Sequence, residues 1–110
     1  MNPFIDIAGA AGAIYRFRLV DDPTLMPSEA GNFMIVRGVG DDRRIVCCGT
    51  ALSLVGAAPT WEARPMKHAS DGLYVRLNVS RSARRAEHDD IVGRCQPELI
   101  LDELDDARVG

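Results

Sequence analysis

Two apolar runs joined by three turn-forming residues constrain this chain more than any other feature. Asn32 to Val39 (NFMIVRGV) and Arg43 to Cys48 (RRIVCC) are rich in β-branched residues, and Gly40-Asp41-Asp42 between them supplies the backbone freedom of a tight hairpin loop. The sequence therefore predicts an antiparallel hairpin. Ile45 to Cys48 shows no alternation of polar and apolar residues, so the second strand is expected to be covered on both faces and to lie centrally in its sheet. Alternation predicts two more strands. Along residues 13–20 (AIYRFRLV), Tyr15, Phe17 and Leu19 fall on one face and Arg16 and Arg18 on the other. Along residues 73–79 (LYVRLNV), Leu73, Val75, Leu77 and Val79 are expected inward, with Tyr74, Arg76 and Asn78 on the opposite face.

The remaining segments read as connections and helices. DDPTLMPSEAG, after the first predicted strand, has two prolines, acidic residues and a glycine, which is the chemistry of a surface loop. ALSLVGAA, after Gly49-Thr50, predicts a short helix. Thr60 is a candidate cap for another, which Pro65 limits to one turn or two, with Trp61 as a core anchor. Ser80 is positioned to cap a helix from Arg81 to about Arg94, and Pro97 to Leu101 predicts a short final element before an acidic tail expected to fray. A chain of 110 residues builds one core and not two. The expectation is a single α+β domain over 1–110, with a small, mainly antiparallel sheet of about four strands and two or three flanking helices.

The helix after Ser80 carries the most informative pattern. At about 100° per residue, Ala83, Ala86, Glu87, Asp90, Ile91 and Arg94 share one face, while Arg84, Arg85, His88 and Asp89 point elsewhere. Glu87 and Asp90, one turn apart, have the spacing to share a hard cation, and His88 is displaced by about 100° from that pair. The competing reading is a solvated face whose acids pair with Arg84, Arg94 or Arg76. That reading is favoured, because ion pairs at this spacing are common and no second ligand cluster is evident. His68, in the run MKHAS, is expected at the surface.

PSEAGNFMIVR, the hairpin turn and CCGTALSL together resemble the GIY-YIG nuclease domain, in the form found in bacterial excision-repair nucleases. RSARRAEHDDIVGRCQPEL is similar to that family's later helix with its glutamate, followed by a proline and a leucine. The resemblance covers residues 26 to about 100, leaving an extra strand and loop over 1–25 and an acidic tail over 101–110. GAIY at Gly12 to Tyr15 offers a second match to the first motif. GNF is preferred for its spacing to CCG, although thirteen intervening residues is slightly long.

The resemblance implies phosphodiester cleavage by two tyrosines, an arginine and a glutamate that holds one divalent metal, magnesium or manganese. Such a reaction needs a positioned base, a charge to stabilise the crowded phosphate and a hard cation. Phe33 stands where the first tyrosine belongs, Cys47 where the second does and Ala57 where the arginine does, so only Glu87 keeps register. A phenyl ring cannot take a proton, and a buried thiol in apolar surroundings is inert. Losing groups that act as a unit removes most of the rate. Phe33 and Cys47 are expected in the core. Candidates to replace the missing groups are Tyr15, Tyr74 and Arg76, with Arg16, Arg18 and Arg76 as a local arginine patch for binding.

The expected function is accordingly a non-catalytic module that binds nucleic acid through this patch or binds another protein. The alternative is a metal-dependent endonuclease or phosphodiesterase whose active site has migrated around Glu87, with Asp90 as a second metal ligand. A formal charge of -3 and a pI near 5.3 argue against a surface made wholly for polyanions, which shows a pI above about 9. Three cysteines do not form a secreted disulfide framework, and Cys47 and Cys48, as neighbours on one strand, point to opposite faces and cannot share a metal. A reducing, cytoplasmic setting is expected. The N-terminus makes a poor signal peptide, no stretch has the roughly 18 apolar residues of a membrane helix, and oligomeric state is not legible.

Overall fold

In the computed structural model, residues 3–21, 26–38, 40–55 and 71–104 are described. They form β1 (Phe4–Ala8), β2 (Ile14–Leu19), β3 (Gly31–Arg37), β4 (Arg44–Ala51), β5 (Asp71–Leu77), α1 (Arg81–Cys95) and β6 (Leu99–Leu104). All six strands belong to one sheet in the order β1-β2-β5-β3-β4-β6. Every neighbouring pair is antiparallel except β4 and β6, which are parallel.

This corrects the expected plan of about four strands with two or three flanking helices in the manner of the GIY-YIG domain. The sheet is mixed and has six strands, and the described residues contain one α-helix. β1 is the first addition. In FIDIA the pattern Ile5 and Ile7 inward, Phe4 and Asp6 outward is a half-buried strand compressed into five residues. β6 is the second. LILDEL occupies the position of the expected short element and part of the expected tail, and it pairs with β4 because α1 carries the chain across the sheet beyond the hairpin. The run ALSLVGAA begins inside β4 at Ala51, turns at residues 52–54 and enters a 3-10 conformation at Val55, with Leu54 N and Val55 N donating to Glu29 O and Pro27 O; residues 56–58 of the run lie outside the described residues. Trp61, His68, Ala57 and the helix predicted near Thr60 lie outside the described residues.

The hairpin forms as its sequence dictates. Phe33 pairs with Gly49 and Ile35 with Cys47, with a register irregularity between Ile35 and Val36, and Gly40–Asp42 closes the turn as one short 3-10 segment. Gly40 has φ 59°, the left-handed region that glycine enters without strain. Gly49 meets a steric demand: a Cβ there would lie 2.3 Å from Phe33 Cζ. The Phe33 ring lies across the strand where a side chain would otherwise stand.

Two apolar clusters lie on opposite faces of the sheet. On one face Ile5, Ile7, Phe17, Met34, Val36 and Cys48 pack with Ile91 of α1. On the other, Phe33, Ile35, Val46, Cys47, Leu73 and Val75 pack with Met26 and Leu54. Cys47 and Cys48 thus enter different cores, and Phe33 and Cys47 are both buried.

Ser80 caps α1 by accepting from the amide of Ala83, and Gln96 closes it in a left-handed conformation with its N–H on Val92 O. The buried stripe of α1 is Arg84, His88 and Ile91, which corrects the expectation that Arg84 and His88 point away from the core. Polar bonding explains the difference. The Arg84 guanidinium reaches back to donate to the carbonyls of Asn78 and Val79 at 3.2 and 3.0 Å, and buried Asn32 donates to Arg84 O at 3.1 Å. Asn32 Oδ1 in turn accepts from Asn78 Nδ2 at 3.0 Å, so the start of α1 is tied to β3 and to the end of β5.

Candidate functional site

The structure brings together four side chains that sequence reasoning singled out. Tyr15 of β2, Arg76 of β5, and Glu87 and Asp90 of α1 meet where the helix crosses the β2–β5 side of the sheet. Arg76 Nε donates to Glu87 Oε1 at 2.8 Å, its guanidinium carbon lies 5.6 Å from the centre of the Tyr15 ring, and its Nη1 donates to Arg16 O at 3.3 Å. Tyr15 Oη donates to Asp90 Oδ2 at 2.7 Å.

Asp90 has a second attachment. Its Oδ1 accepts from the amide of Ala11 at 2.8 Å, and its own carbonyl accepts from the amide of Ala10 at 3.0 Å. The carboxylate lies over the turn between β1 and β2, close enough that a Cβ on Gly9 would fall 2.0 Å from Oδ2. Glycine at position 9 is what admits it. These contacts explain the protonation behaviour of the pair. The Tyr15 hydroxyl and the Ala11 amide stabilise the charged carboxylate and hold Asp90 below its usual 3.8, while the hydrogen bond to Asp90 pushes the Tyr15 phenol above its usual 10.0. A phenol shifted in that direction is held as a proton donor and is unsuited to act as a base near neutrality.

The other candidates are elsewhere. Tyr74 is partly buried beside the cluster around Met34 and Ile91, paired across the strands with Leu19 and Met34. Arg16 and Arg18 project on the sheet face away from α1. Arg16 makes an exposed ion pair with Asp6 at 2.9 Å, which holds the Asp6 carboxyl below its ordinary range, and its guanidinium lies 5.5 Å from the centre of the Phe4 ring. Of the arginine patch, Arg76 therefore faces the helix and Arg16 and Arg18 do not.

Glu87 meets β5, one strand beyond the hairpin, and among the described residues no group of three or more His, Cys, Asp or Glu side chains is arranged to hold a metal ion. Burial pushes the thiols of Cys48 and Cys95 up, which keeps both protonated at neutral pH. No helix among the described residues is long and apolar enough to cross a membrane.

A feature that sequence reasoning missed lies on the face opposite α1. A depression of about 350 Å³ is lined by Phe4, Arg16, Arg18, Pro27, Val75 and Leu77. The signal available was the pairing of FID with RFR around a hairpin turn at Gly9–Gly12, which sets Phe4 directly opposite Arg18. Comparison with protein-family models, with curated proteins and with solved structures gives no match to the chain.

Proposed function

We propose that this chain is a non-catalytic binding module. What supports the reading is the way the candidate chemical groups are engaged: Glu87 by Arg76, and Asp90 by Tyr15 and by the β1–β2 turn. The observation that carries most weight is the Asp90 carboxylate, whose two oxygens each accept a hydrogen bond from another element of the fold. A carboxylate so held joins helix to hairpin, with one lone pair on each oxygen given to the fold. The surface left for a partner is the opposite face, where Arg16 and Arg18 stand beside exposed apolar side chains.

A metal-dependent phosphodiesterase centred on Glu87 is the alternative, and the convergence of a tyrosine, an arginine and two carboxylates favours it. It requires Glu87 to exchange Arg76 for a cation. End-labelled single- and double-stranded DNA incubated with the protein and magnesium or manganese separates the two. The binding-module reading expects no metal-dependent cleavage by the wild type or by Glu87→Gln. Cleavage that requires the metal and disappears in Glu87→Gln, with the fold retained, overturns it.

A further inference from the structure

On the sheet face away from α1, the described residues bury Leu73 and Val75 of β5 together with β3 and β4, and leave Arg18 of β2 and Leu77 at the end of β5 exposed. Residues 26–30 and 52–55 close the covered half, where Leu54 N donates to Glu29 O at 2.9 Å and Val55 N to Pro27 O at 2.8 Å. Beyond Pro27 the described chain leaves the depression lined by Phe4, Arg16, Arg18, Val75 and Leu77. Strand pairing fixes its layout, because Phe4, Arg18 and Val75 stand in one row across β1, β2 and β5. Arg16, two residues from Arg18, projects from the same face. Phe4 is 40% exposed and Leu77 57% exposed, although Val75 between them is buried. Among the described residues Arg18 makes no ion pair, whereas Arg16 shares its charge with Asp6.

We infer that this depression holds a short acidic peptide segment with one large apolar residue, the apolar side chain lying against Phe4, Val75 and Leu77 and flanking carboxylates meeting Arg18 and Arg16. The inference rests on the binding-module reading and names the partner of that surface. Charge complementarity selects an acidic occupant, since a guanidinium without an acidic partner among the described residues, beside apolar surface, is matched by a carboxylate in forked geometry. Three features select a peptide over a nucleic acid. The Arg16 guanidinium already lies over the Phe4 ring, which denies that ring to a stacking base. A chain with formal charge -3 repels a long polyanion, while a segment with a few carboxylates needs only the local pair of arginines. A volume of about 350 Å³ takes one large side chain and its flanking backbone, not a run of stacked bases.

The test is fluorescence anisotropy with four labelled probes: the hexapeptide DESFDE, its apolar-deleted form DESSDE, its basic form KKSFKK and an oligothymidylate. DESFDE is expected to bind saturably and more tightly than the other three. Arg18→Glu is expected to weaken it by about tenfold and Leu77→Ser by about threefold, with the circular dichroism and melting temperature of both variants unchanged, because both side chains are exposed. Equal binding of DESSDE, an affinity unchanged in Arg18→Glu, or no saturable binding of any probe overturns the inference. Tighter binding of the oligothymidylate, lost in Arg18→Glu, overturns the peptide assignment and leaves the binding-module reading standing. Metal-dependent DNA cleavage overturns that reading itself.

Discussion

Tyr15 Oη donates a 2.7 Å hydrogen bond to Asp90 Oδ2, joining β2 to α1 across 75 residues of sequence. With the Ala11 amide on the other carboxylate oxygen, this contact makes Asp90 the point at which the N-terminal hairpin is fastened to the helix. Tyr15→Phe is expected to lower the melting temperature modestly, and Asp90→Ala to lower it further because the Ala11 amide then also loses its partner. A double-mutant cycle by thermal unfolding checks the coupling. Additive effects would mean that the hydroxyl and the carboxylate do not act together.

The same pair sets a pH dependence at both ends of the scale. The folded-state pKa of Asp90 lies below 3.8, so its contribution is present above that pH and is lost as the pH falls through the lowered value. The Tyr15 pKa is raised above 10.0, so its contribution is present below pH 10.0 and is lost as the pH rises through the raised value. Melting curves of Tyr15→Phe between pH 9 and pH 12 are expected to show a shallower alkaline decline than wild type. Identical alkaline profiles would contradict this assignment.

Gly49→Ala tests the packing of the hairpin. The new methyl would start 2.3 Å from Phe33 Cζ, and overpacking of this kind costs about 1–3 kcal/mol. Denaturant unfolding is expected to show that loss, with partial recovery in the double variant that also carries Phe33→Leu. A neutral Gly49→Ala would mean that Phe33 does not lie across the strand.

Asn32→Ala removes a buried amide that donates to Arg84 O and accepts from Asn78. Leaving those groups unsatisfied costs about 1–3 kcal/mol, whereas Asn78→Ala, at a more exposed position, is expected to cost less. Urea unfolding of the two variants gives the ranking, and a reversed order would contradict the network as described.

Legibility in the sequence followed the strength of local pattern. The β3–β4 hairpin was readable because β-branched runs and a glycine turn act within a few residues, and α1 because Ser80 caps a long polar helix. β6 was not, since pairing with β4 is a long-range parallel contact and nothing local distinguishes LILDEL from a tail. FIDIA in β1 does alternate, but five residues gain strand character chiefly by pairing with β2. The buried face of α1 was misassigned because Arg84 and His88 look like surface residues, whereas the carbonyls of Asn78 and Val79 give Arg84 partners when it turns inward. The convergence of Tyr15, Arg76, Glu87 and Asp90 is a product of topology: β2 lies beside β5 although 51 residues separate them in the chain.

In the binding-module reading, Glu87 and Asp90 serve the fold and hold no metal. Titrating manganese chloride into the 15N-labelled protein tests it most directly, because a bound manganese ion broadens the amide signals around it. No selective loss of signal is expected at residues 86–91 or at Tyr15, Arg16 and Arg76 through millimolar metal. Selective broadening there at micromolar manganese, abolished by Glu87→Gln, would contradict it.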